Sequence, residues 1–135
     1  MQEHAHEGGH LPKRAVAKNV GHPPRKVRRL TNAIKGRTVD EALAILQFLP
    51  NAPARDVYGA VKSAAANWEN YYDIDADQLW VIEAIADEGL KIKRFRARSH
   101  GRSSRILRRT THITVTVSDN AADIPRGARN ARKRH

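Results

Sequence analysis

Nine lysines and arginines fall within residues 91–109, and no aspartate or glutamate interrupts them. A guanidinium forks onto phosphate oxygens or stacks on a base, and an ammonium acts as a point charge. The chemistry on offer is recognition of a polyanion. Arg94, Arg96, Arg98, Arg102, Arg105, Arg108 and Arg109 are the candidate forks, with Lys91 and Lys93 as point charges. Phe95 is the candidate base-stacking ring. A second group, Arg25, Lys26, Arg28 and Arg29, places four cations within five residues, and Lys18 precedes it.

Other chemistries are weaker. His100 and His112 lie in the basic region and could serve a nuclease, but no nearby acid in sequence orients either imidazole. His4, His6 and His10 lack rigid ligand spacing, and a polar terminus accounts for them. Asp73, Asp75 and Asp77 resemble half a calcium loop, but the glycine and glutamate that complete such a loop are missing. There is no G-x-S-x-G, P-loop or H-E-x-x-H motif. The absence of cysteine excludes disulfides, thiolate zinc sites and a cysteine nucleophile. The residues predict binding, with no catalysis, metal or cofactor.

The composition agrees. A chain of 135 residues is one domain with a modest core. Net charge is +11, which points to nucleic acid or an anionic surface. No run approaches the roughly 18 apolar residues of a membrane span, and the first ten residues lack the apolar core of a signal peptide. Charge is also segregated. Residues 8–39 hold nine cations and no acid, residues 40–88 hold ten acids against two cations, and residues 89–118 hold nine cations and no acid. A solvated surface usually mixes signs, so one side of the fold is expected to face a polyanion and the other water.

The elements that must position these cations follow from periodicity. Residues 13–20 read as a short strand, broken by Gly21-His22-Pro23-Pro24. Pro24 suits a first helical position. Val27, Leu30 and Ile34 then recur at helical spacing, with the four cations on the other face and Gly36 as the stop. Cations at a helix start oppose its dipole, which favours a phosphate partner over simple solvation. Thr38 and Glu41 form a capping-box pattern that opens a second helix. Asn51 is placed to cap a third, with a stripe of Val57, Val61, Ala64, Ala65, Trp68 and Tyr72. Small residues at Ala60, Ser63, Ala64, Ala65 and Ala66 permit close packing. Trp68, Tyr71 and Tyr72 sit in the acidic block and read as core rather than as base-stacking rings.

Residues 79–85 and 110–117 alternate like strands and flank a Gly/Ser turn, which reads as a hairpin over residues 79–118. Centred near Arg98, each arm would span roughly 60 Å at ~3.3 Å per residue. That exceeds the width of a compact domain of this size, so the hairpin should protrude. Its outer part has only Ile92, Phe95, Ala97, Ile106 and Leu107 as apolar residues. A free ribbon is marginal in water, so an external partner is expected to support it. Residues 1–12 are expected as a disordered arm, 13–119 as the domain and 120–135 as a basic tail.

Several segments together resemble a known family. They are PRKVRRLTNAIKGRTVDEALAIL (24–46), VKSAAANWEN (61–70), ADEG (86–89), Lys93-Arg94, Gly101-Arg102 and RILRRTTHITVTVSD (105–119). In order and spacing they resemble large-subunit ribosomal protein twenty-two, of bacterial type, across about residues 16–119. That resemblance implies an α+β fold, with three helices on a small antiparallel sheet and a long protruding hairpin. It implies a structural protein that binds large-subunit rRNA, aids assembly and lines the nascent-peptide exit tunnel. The implied tip is Lys91, Ile92, Lys93, Arg94, Phe95, Arg96, Ala97 and Arg98. The implied partners are several rRNA domains, neighbouring ribosomal proteins and the nascent peptide. The implied location is a ribosome, cytoplasmic or organellar, with no membrane contact. Pro23 stands where that family usually has a helix-capping serine, and Arg96 where an apolar residue is common. Composition by itself does not exclude a free-standing nucleoid-type DNA-binding protein, although such proteins use wedge residues at arm tips and this tip has no proline.

Overall fold

The computed structural model describes residues 10–73, 79–97 and 103–124. The elements run β1 (Lys13–Val20), α1 (Pro24–Ile34), α2 (Val39–Phe48), α3 (Ala52–Tyr72), β2 (Trp80–Ala97) and β3 (Ser103–Ser118), then a 3-10 turn at Ala121–Asp123. The three strands form one antiparallel sheet in the order β1-β3-β2. The helices cover one of its faces, giving the expected α+β fold.

Each helix starts for a local reason. Pro24 opens α1 behind Pro23, whose side chain makes no capping bond. Thr38 caps α2: its hydroxyl accepts from the Glu41 N–H at 3.2 Å and donates to the Glu41 carboxylate at 3.1 Å. Asp40 and Glu41 also lie in the first turn of α2, where the dipole favours acids. Thr38→Ala should therefore cost about 1 kcal/mol, read as a lower urea midpoint at unchanged m-value. Asn51 occupies the cap position of α3 but forms no side-chain capping bond, so it is not the cap expected from its residue type.

The segment between α1 and α2 seals an edge of the sheet. Gly36 adopts φ 78°, a conformation that suits glycine, and the turn brings the chain beside β2. The Gly36 N–H donates to the Val81 carbonyl at 2.8 Å, and the Val81 N–H donates to the Arg37 carbonyl at 2.8 Å. A paired edge cannot template further strands.

The core lies between the helices and the sheet. Val27, Leu30 and Ile34 of α1, Val57, Val61, Ala64 and Trp68 of α3, and Val81, Ile113, Val115 and Val117 of the sheet are all buried. Ala60, Ala64 and Ala65 are buried too, while Ser63 and Ala66 face outward. The small-residue surface is thus narrower than expected. The core reading holds for Trp68 and for the partly buried Tyr72, but Tyr71 is 68% exposed. The Lys13 ammonium sits 3.4 Å from the centroid of the Tyr71 ring, and this cation–π contact gives Tyr71 a surface role.

Residues 10–12, expected at the end of a disordered arm, are held against the body. His10 Nδ1 lies 2.8 Å from the Asp119 carboxylate, and its ring packs edge-on against Trp68 and Tyr72. The Tyr72 hydroxyl accepts from the Leu11 N–H and donates to the Leu11 carbonyl, both at 3.0 Å. At the other end, Ser118 donates to Asp123 at 2.7 Å and Ile124 is buried. The readings of His4 and His6, of Asp75 and Asp77, and of the tail beyond residue 124 fall outside the described residues.

Candidate nucleic-acid interface

Two structural units carry the cations: the outer face of α1 and the ribbon formed by β2 with β3. The α1 sequence places Val27, Leu30, Thr31 and Ile34 inward at helical spacing. That turns Arg25, Lys26, Arg28 and Arg29 outward, and all four are exposed. No acid lies on α1 to neutralise them. The contrast with α2, which has two acids in its first turn, is electrostatic: α1 places like charge at the positive end of its dipole.

Arg28 differs from its neighbours. Its Nε donates to the Ala86 carbonyl of β2 at 3.1 Å, pinning α1 to the strand while leaving other guanidinium donors for a ligand. Substituting Arg25 and Lys26 with Gln should weaken binding to a polyanion such as RNA without lowering the thermal midpoint, because it removes like charge from the positive end of the α1 dipole. Arg28→Gln should weaken binding and also lower stability by about 1 kcal/mol. Parallel filter-binding and circular-dichroism melts separate the two cases. A matching loss of stability in the Arg25/Lys26 variant would show those residues to be structural.

The ribbon is paired from Trp80↔Ser118 to Ala97↔Ser103. Its inner half belongs to the three-stranded sheet, because β1 pairs with β3 from Lys13↔Val117 to Val20↔Thr111. Among the described residues, the outer part, 89–97 with 103–110, has no third strand beside it. At ~3.3 Å per residue it extends for roughly 30 Å, about half the length of the whole arm. The outer pairs are centred on position 100, since Ala97 pairs with Ser103. That corrects the expected centre at Arg98. The innermost pair, Trp80↔Ser118, is already centred on 99, and two register shifts in β2, between Val81 and Glu83 and between Glu88 and Lys91, move the centre one residue further. Each gives β2 one residue more than β3.

Within the outer ribbon Lys91 pairs with Arg109, Ile92 with Arg108 and Phe95 with Arg105. Lys91, Arg108 and Arg109 are exposed. Like charges directly opposite each other destabilise a strand pair, so the Lys91–Arg109 pair is favourable only where anions compensate it. Lys93, Arg94, Phe95, Arg96 and Arg105 lie on paired ribbon backbone. Arg98 and Arg102 lie outside the described residues, as does His100. Lys18 is exposed on β1 beside the ribbon's root.

His112 has a fold-level role. Its Nδ1 accepts from the Asn19 N–H at 3.0 Å, which ties two strands together. The exposed Arg14 and the Tyr71-stacked Lys13 of β1 add positive charge that the candidate set above leaves out. The signal for them was available in sequence, because both sit in the acid-free block of residues 8–39. No described helix is long and apolar enough to cross a membrane.

Residues 15–118 match the family model described as Ribosomal protein L22p/L17e. The chain belongs to this family. It is similar to Large ribosomal subunit protein uL22 of Latilactobacillus sakei, at 49% identity over 108 residues, covering 80% of this chain and 92% of that protein. It is also similar to Large ribosomal subunit protein uL22 of Oceanobacillus iheyensis, at 48% identity over 106 residues, covering 78% of this chain and 94% of that one. The L22p/L17e match spans β1 to β3, and thus includes both cationic units and the sheet that joins them.

Proposed function

We propose that this chain is a structural constituent of the large ribosomal subunit, that it binds large-subunit rRNA and that it catalyses no reaction. The observation that carries this reading is the acid-free ribbon extending past the third strand, with Lys91 paired to Arg109. Membership of the L22p/L17e family and the names of the two relatives support the choice of ribosome over chromatin.

The mechanism follows from the shape of the partner. Structured RNA presents phosphates across narrow crevices, and proteins recognise it largely by shape. A two-stranded ribbon pairs its own backbone and is thin enough to enter such a crevice. Lys91, Lys93, Arg94, Arg96, Arg98, Arg102, Arg105, Arg108 and Arg109 then meet phosphates from more than one RNA segment, and Phe95 stacks on a base. Arg25, Lys26, Arg28 and Arg29, with Lys18, hold the RNA nearer the body. Contacts to several segments at once aid assembly. The outer arm of β2, Lys91 to Arg98 (with Ile92 and Ala97 as its apolar members), lines the path of the nascent peptide. Neighbouring ribosomal proteins and water meet the acidic side.

Gradient sedimentation of the endogenous protein tests the reading. Co-migration with large ribosomal subunits, resistant to DNase, is the expected result. Co-migration with chromatin would support a DNA-binding protein instead.

A further inference from the structure

We infer that Asn19, Gly89, Thr110 and His112 form a joint that fixes the direction in which the ribbon leaves the body, acting as positioning residues for RNA binding. The RNA part of this inference rests on the function proposed above; the joint itself does not.

Strand β3 is bulged against from both sides at one level. On one side Gly89 and Leu90 of β2 lie opposite Thr110, between the pairs Glu88↔Thr111 and Lys91↔Arg109. On the other side Lys18 and Asn19 of β1 lie opposite His112, between Ala17↔Ile113 and Val20↔Thr111. This is the level at which β1 ends and the two-stranded ribbon begins. A bulge bends its strand and increases local twist, so paired bulges here set the exit angle.

Both bulges are locked by side chains. Asn19 has φ 55°, a left-handed conformation that asparagine tolerates better than most residues. Its N–H donates to His112 Nδ1 at 3.0 Å, so the ring proton sits on Nε2. Thr110 donates to the Leu90 carbonyl inside the other bulge at 2.7 Å. The locks meet at Gly89. A β-carbon there would lie 2.6 Å from Thr110 Oγ1, 3.2 Å from His112 Cε1 and 3.3 Å from Asn19 Oδ1. Gly89 is thus required for space, at a φ that is not positive. Thr111, between the two lock residues, donates to the His22 carbonyl at 2.6 Å. That bond ties the same level to the turn before α1, so the ribbon and the basic face of α1 share one anchor.

The test uses backbone N–H residual dipolar couplings in the full chain. In the native sequence, couplings of residues 91–97 and 103–109 should fit the alignment of the core. In Thr110→Val and His112→Leu they should shrink by about half or more as the ribbon gains freedom. His112→Asn, which keeps an acceptor, should restore them. Ribbon couplings that already depart from the core alignment in the native sequence, or that stay unchanged in both variants, would overturn the joint. If a variant fails to fold, Gly89→Ala, whose β-carbon would press on Thr110 Oγ1 at 2.6 Å, gives the same reading. A competition assay then checks the RNA role. The loosened variants should enter large subunits less well than the native chain while binding homopolymeric RNA equally. Reduced ribbon couplings with undiminished subunit entry would overturn the positioning role and leave the joint standing.

Discussion

Excising residues 92–108 and joining Lys91 to Arg109 through an Asn-Gly turn will weaken binding to large-subunit rRNA by about 100-fold or more near 0.1 M salt. Seven cations leave with the segment. If each neutralises one phosphate, the slope of log affinity against log salt should flatten by up to about 5 to 6. The excised segment lies beyond the last pair of β1 with β3, and Lys91 and Arg109 already pair across the ribbon, so the body should keep its thermal midpoint. Titrations at several salt concentrations measure both effects. An unchanged slope would place RNA binding on α1 alone.

The second large effect is on stability. Trp68 is fully buried and, among the described residues, is the bulkiest of the completely buried side chains. Much of the rest of the core is alanine and valine, so little can move in to fill its space. Trp68→Ala should cost about 3–5 kcal/mol. A small domain has only about 5–15 kcal/mol in all, so the midpoint should fall by well over 10 °C. Tyr71→Ala, on the same turn but exposed, should lose little beyond about 0.5–1 kcal/mol of cation–π contact. A thermal melt of the two variants side by side checks the contrast. Equal losses would mean that the aromatic cluster acts as a single unit.

What was legible in the sequence was what neighbouring residues decide. Pro24 at a helix start, the Thr38–Glu41 capping box and the Val27-Leu30-Ile34 stripe depend on a few adjacent positions, and all appear in the structure. Strand β1 was legible in extent, while its pairing with β3 depends on residues about a hundred positions away. Tyr71 lies at the edge of the α3 stripe, and its exposure is settled by Lys13 on a distant strand. Part of the shift in the ribbon centre has the same origin. Gly89 within a strand pattern is a recognised sign of a bulge, but the partner strand determines where the extra residue falls. Among the site residues, the outward face of α1 followed from its buried stripe. The double use of Arg28 did not, because it needs the carbonyl of Ala86 within reach.

The most direct test of the account is a cryo-EM map of large ribosomal subunits carrying this chain. The map should show the ribbon threaded between RNA segments, its tip beside the peptide tunnel, the α1 cations against phosphates and the acidic side turned away from RNA. A ribbon lying free in solvent, or a subunit that lacks the chain altogether, would contradict it.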